Sequence, residues 1–134
     1  MKVKLLLRAL VWCIAALAVG TALFSVSAAS RQERTTNSRV QKGKAAFYSG
    51  ALEGHKTACG GRYVASELTA AHRSLPCGTR IRITNTKNGK SVEATVNDWG
   101  PTSPNRIVDV SSAVAEKLDF VKQGTTTVKV EIVQ

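Results

Sequence analysis

Thr79-Arg-Ile-Arg-Ile-Thr84, then Asn88-Gly89, then Ser91-Val-Glu-Ala-Thr-Val96: the reading of this stretch decides the fold class. Both arms alternate with a period of two. Ile81 and Ile83 share one face while Arg80 and Arg82 take the other. Val92, Ala94 and Val96 do the same in the second arm. Such alternation marks half-buried strands, and Asn-Gly supplies the positive φ that a tight hairpin turn needs.

Similar segments lie on either side. Lys44 to Ser49 reads as a first strand opening the domain, and Gly50 to Gly61 as a loop rich in Gly and polar residues. Arg106 to Val110 is another strand-like run. Ser111 or Ser112 then caps a short helix through Leu118, with Val110, Val114 and Leu118 spaced to face the core. Thr126 to Val133 is the last strand, with Val128, Val130 and Ile132 inward and Lys129 and Glu131 outward. Five or six short strands and one helix predict a mainly β fold, a small closed barrel whose closure removes exposed edges.

The N-terminal segment reads as an export signal. Lys2, Lys4 and Arg8 precede an apolar run from Ala9 to Val26, and Ser27-Ala28-Ala29 supplies the small residues of a cleavage site after Ala29. An uncleaved anchor is the alternative, because a membrane span needs about 18 apolar residues at minimum. Of 134 residues, removal of 29 leaves 105, enough for one domain. Residues 30–42 hold one aliphatic side chain and read as a flexible linker before a domain at 43–134. The formal net charge is +10. From Ser30 onward, sixteen basic side chains face nine acidic ones, which draws the domain to anionic surfaces.

Cys59 and Cys77 are an even pair in an exported chain, and a disulfide is the simplest reading. It closes a loop worth about 3 kcal/mol in the chain-entropy model. His55, Cys59, His72 and Cys77 also match the ligand set of a structural zinc site. Export favours oxidation over that alternative, so no metal and no cofactor are expected.

Two further stretches carry chemistry: Leu68-Thr-Ala-Ala-His-Arg-Ser-Leu-Pro-Cys-Gly78 and Asn97-Asp-Trp-Gly-Pro101. Each sets a titratable side chain, His72 or Asp98, beside turn-forming Gly and Pro. A carboxylate and an imidazole presented on loops by a rigid sheet suit a small acid/base enzyme. Asp98 also fits a turn role, its carboxylate bonding nearby amides. His72 equally fits a partly buried histidine satisfied by the backbone.

The wording and order of these pieces resemble the rare lipoprotein A (RlpA) family. The matching words are Gly43-Lys-Ala-Ala-Phe-Tyr48, Thr57-Ala58, Leu68 to Pro76, Gly78-Thr79, Asn88 to Ser91, Asn97-Asp98, Gly100-Pro101, Arg106-Ile107 and Asp109 to Ser111. The resemblance implies a six-stranded double-psi β-barrel with one or two short helices. It also implies a lytic transglycosylase of the periplasm or cell envelope, acting on peptide-free glycan strands. That reaction cuts between N-acetylmuramic acid and N-acetylglucosamine and leaves a 1,6-anhydro product. Asp98 is then the acid/base and His72 its catalytic partner, while Arg106, Trp99 and Thr57 bind substrate. Asp109 is expected to be structural, paired with Arg106.

The chain departs from the family pattern at Gly61 and Val64, where the resemblance leads one to expect acids, and at Trp99, where it leads one to expect Arg. Trp99 either stacks on a sugar face or packs. The substitutions keep a second reading open, a wall-binding or expansin- or inhibitor-like module without catalysis. The histidine of Ala-Ala-His-Arg occurs in relatives lacking both cysteines, which weakens the zinc alternative. The partner expected is peptidoglycan, bound by a monomer that meets the membrane only through its N-terminal segment. With aromatics at 5%, no recognisable motif and an export signal, a nucleic-acid binder is a distant third reading and nucleic acid is not an expected partner.

Overall fold

The computed structural model describes residues 40–133. The readings that fall on the signal segment and on residues 30–39 of the linker lie outside the described residues. Six strands close into a barrel: β1 (Gln41–Phe47), β2 (Thr69–His72), β3 (Arg80–Asn85), β4 (Ser91–Asp98), β5 (Arg106–Val110) and β6 (Thr125–Ile132). Their order around the barrel is β1-β5-β2-β4-β3-β6. The β1/β5 and β2/β4 pairs are parallel and the other four antiparallel. The expected six-stranded, mainly β barrel is therefore present, with one helix, α1 (Ser112–Lys117), and a 3₁₀ turn at Gly50–Leu52.

The hairpin arms pair as their alternation requires, Ile81 opposite Ala94 and Ile83 opposite Val92. Ile81, Ile83, Val96, Val108, Val110, Val128 and Val130 fill the interior, each at most 2% exposed. Burying a side chain of this size stabilises by roughly 1.5–3 kcal/mol, and the β-branched ones also fit the pleat. Helix α1 closes one end. Ser111 caps it by accepting from Val114 N, and Val114, Leu118 and Phe120 are sealed against the core.

Three local findings differ from the sequence reading. β1 starts at Gln41, so the last two residues assigned to the linker, Gln41 and Lys42, are in the strand. They pair with Val130 and Lys129 of β6. Thr69–His72 is a strand rather than part of a loop, and Asp98 is the last residue of β4. Gly43 is required by close approach, since a Cβ there would sit 2.6 Å from Ile107 Cγ2.

Candidate active site

Asp98 leaves the barrel at the end of β4 beside a cleft of about 140 Å³ lined by Tyr48, Leu52, His55, Lys56, Thr57 and Tyr63 as well as Asp98 itself. Among the described residues it is the only carboxyl group in that lining. Three donors converge on it. Tyr48 Oη–H donates to Oδ2 at 2.8 Å. The Ala58 amide donates to Oδ1 at 2.8 Å, and the Trp99 amide to the same oxygen at 2.9 Å.

These donors come from separate parts of the chain. Tyr48 follows β1 directly, and its own amide donates to Val110 O at 2.9 Å. Burial pushes its phenol well above the usual value, and the bond to Asp98 and the charges of Asp98 and Asp109 add to the effect. Tyr48 therefore stays protonated and remains a donor. The Tyr63 ring meets it edge-on, with centroids 4.8 Å apart. Tyr63 Oη in turn accepts from Ser112 N at the start of α1.

Ala58 lies in the Thr57–Gly61 turn, closed by Thr57 N to Gly61 O at 2.8 Å and Gly60 N to Thr57 O at 3.1 Å. The Cys59–Cys77 disulfide holds this turn, with Cα atoms 5.8 Å apart. Cys59 N also donates to Asn97 O, joining the turn to the end of β4. The expected disulfide is thus formed, and both sulfurs of the zinc alternative are used in it. Thr57, assigned to substrate binding, is 7% exposed, and its Oγ1 has no partner among the described residues. Trp99 does not pack, being 59% exposed next to the carboxylate.

His72 is placed differently. It is 3% exposed, and its Nδ1 accepts from Ser74 N and Leu75 N, both at 3.2 Å. Its Nε2 therefore carries the hydrogen, donated to Gln41 Oε1 at 3.0 Å. These bonds tie the turn after β2 to β1, and none reaches Asp98. Burial holds the imidazole below its ordinary 6.5, and the neighbouring Arg73 charge adds to this. Two fixed amides facing Nδ1 oppose a proton there as well.

Unfolded chain thus takes up a proton that the folded site refuses. The contribution of His72 to stability is complete above about pH 6.5 and is lost as pH falls below it. Melting curves are expected to show a lower transition at pH 5 than at pH 7.5. His72→Ala should remove that acid sensitivity at a cost of about 1–3 kcal/mol, from the amides left without an acceptor. An unchanged pH dependence in this variant would contradict the assignment.

Arg106 and Asp109 form the expected ion pair. Arg106 Nε stands 3.0 Å from Asp109 Oδ1, off the line of a hydrogen bond, and Nη2 donates to Oδ2 at 3.4 Å. Burial raises the Asp109 carboxyl above its ordinary range, against the opposing pull of Arg106. Neither residue lines the cleft. Sequence reasoning passed over Tyr48 and the Ala58 amide. Tyr48 stood within the quoted words as the polar-tipped aromatic ending a strand. The amide has no side-chain signature. It also passed over Arg73, whose guanidinium donates to Pro101 O, Ser103 O and Arg106 O, stitching the chain after β4.

The lytic transglycolase family model matches residues 40–130. The endolytic peptidoglycan transglycosylase RlpA of Neisseria meningitidis serogroup A is 55% identical over 92 residues, 69% of this chain. Those residues are 38% of that relative, so the chain spans well under half its length. Among solved structures, the Streptomyces papain inhibitor aligns with a TM-score of 0.59 and 23% identity, over 71% of this chain and 94% of that one. The apo expansin of Clavibacter michiganensis aligns at 0.58 and 22%, over 71% and 50%. At such identities these two neighbours share the fold.

Proposed function

The chain belongs to the lytic transglycolase family, and on that premise we propose that it cleaves peptide-free peptidoglycan strands in the cell envelope. The bond cut joins N-acetylmuramic acid to N-acetylglucosamine. The carboxyl of Asp98 gives its proton to the glycosidic oxygen as the C1–O bond breaks. The muramyl 6-hydroxyl oxygen bonds to C1, and its proton passes to the Asp98 carboxylate. Atoms balance without water, and the anhydro ring is the product.

The observation that carries this reading is the single cleft carboxylate with its two unlike oxygens. An ordinary glycosidase needs a second carboxyl to attack the sugar or activate water. An internal nucleophile removes that need, which suits a cleft whose lining holds, among the described residues, Asp98 as its one carboxyl group. Oδ1 faces two backbone amides that cannot turn away. Oδ2 faces one hydroxyl, which can rotate and accept instead of donate. The proton cycle therefore runs on Oδ2, with Tyr48 holding the carboxylate between steps. Trp99, exposed and fixed through its amide to the same carboxylate, is the platform for a sugar face.

Tyr48→Phe is expected to lower kcat about tenfold or more, the scale of one hydrogen bond to a charged group, in assays run below a melting temperature that the same lost bond also lowers. Steady-state assays on peptide-free strands check it, and an unchanged kcat would remove Tyr48 from the cycle.

A non-catalytic wall-binding module is the second reading, favoured by Gly61. A Cβ at Gly61 would stand 3.9 Å from Thr57 Oγ1, so a side chain there would reach the cleft. Glycine supplies no acid at that point. Pelleting with insoluble peptidoglycan separates the readings: a pure binder leaves the strands intact and binds equally well as Asp98→Asn.

A further inference from the structure

Beside its one carboxylate the cleft holds a lysine and a histidine that nothing yet described uses. Lys56 and His55 both line it and are exposed. Their backbone is held in place. His55 O accepts from Tyr63 N at 2.8 Å, and Lys56 bridges Arg62 across the turn. The other charged groups nearby are engaged. Arg62 Nη1 donates to Gly54 O at 2.8 Å, and Glu53 Oε2 accepts from Ala65 N at 2.7 Å. Asp98 is held by its three donors. Among the described residues, neither Lys56 nor His55 makes an ion pair or side-chain hydrogen bond. Independently, Thr57 Oγ1 is buried in the same cleft with no partner among the described residues. A buried hydroxyl left so is costly unless water or a ligand satisfies it, and the cleft mouth admits either.

A muramyl residue carries a lactyl ether. Its carboxyl is locked in an amide when a stem peptide is attached and becomes a free carboxylate once the peptide is removed. We propose that Lys56, assisted by His55 and the Thr57 hydroxyl, forms a subsite for that free lactyl carboxylate, so that the cleft reads the removal of the peptide as a negative charge. This rests on the glycan-cleaving reading above and names the residues that select the substrate. Lys56 supplies a compact positive charge on a flexible stem, suited to a carboxylate at the mouth of an open cleft. Thr57 supplies the short-range hydrogen bond.

The test uses two probes: peptide-free glycan strands, and the same strands with their lactyl carboxylates converted to methylamides. Calorimetric titration into Asp98→Asn measures binding without turnover. The free-acid strands are expected to bind about tenfold more tightly, the discrimination of one charged hydrogen bond. That ratio should shrink with added salt, because the pair is exposed. Adding Lys56→Gln should bring it near one. A ratio near one while Lys56 is present overturns the subsite, as does a ratio that survives Lys56→Gln. Discrimination without anhydro product from the wild-type protein instead overturns the catalytic reading and leaves the subsite standing. Failure to bind either strand overturns both.

Discussion

Asp98→Asn is expected to cut kcat on peptide-free strands by about 10²–10⁴-fold, the range of a lost general acid/base. The fold should survive. The amide oxygen of Asn still accepts from Ala58 N and Trp99 N, the two bonds that join the turn and the Asp98–Trp99 step. Its NH₂ then donates to Tyr48 Oη, reversing the bond that Tyr48 now makes. What the variant cannot do is take a proton from the muramyl 6-hydroxyl or give one to the leaving oxygen. Melting temperature should therefore stay close to wild type while turnover collapses. A variant with both intact would place the acid/base elsewhere.

The second large effect is structural, and it reaches the same carboxylate. Replacing Cys59 and Cys77 by Ser opens a loop spanning 18 positions. The chain-entropy model puts the loss at about 3 kcal/mol. For a domain of this size each kcal/mol shifts the transition by ~4–8 °C, so the fall should be roughly 12–24 °C. The bridge also anchors the turn that delivers the Ala58 amide to Oδ1. Cleavage measured well below the lowered transition should fall too, because the carboxylate loses a fixed donor. A melting temperature that does not move under reduction would show that the Asn97 contact and the turn's own bonds suffice to hold it.

Much of the barrel was legible because its strands expose one face. β3, β4 and β6 alternate, and their inward residues are buried except Val92 and Ile132, which are partly buried. β2 was not legible. Thr69-Ala-Ala-His72 is buried at all four positions, so no alternation exists to read, and its two alanines carry little strand preference. Its parallel pairing with β4 and antiparallel pairing with β5 hold it in place. β1 extends back to Gln41 for a related reason: β6 satisfies the backbone of residues whose side chains look like linker.

The site was half legible. Asp98 and Thr57 line one cleft, and Trp99 stands beside Asp98 through its amide without lining it. His72, next to Ala71, which pairs with Asp98 itself, turns instead to Gln41 and to its own following turn. Sequence proximity to a reactive residue carries no direction, and direction decides which side chain touches the substrate. Tyr48 is 50 positions from Asp98 and reaches it only because β1 and β4 end near one another.

The most direct test of the central claim is mass spectrometry of peptide-free glycan strands after incubation with the wild-type protein. The expected result is fragments ending in 1,6-anhydromuramic acid, each lighter by one water than a hydrolysed end, and none from Asp98→Asn. Strands recovered uncut, with the protein bound to them equally well in both forms, would contradict it.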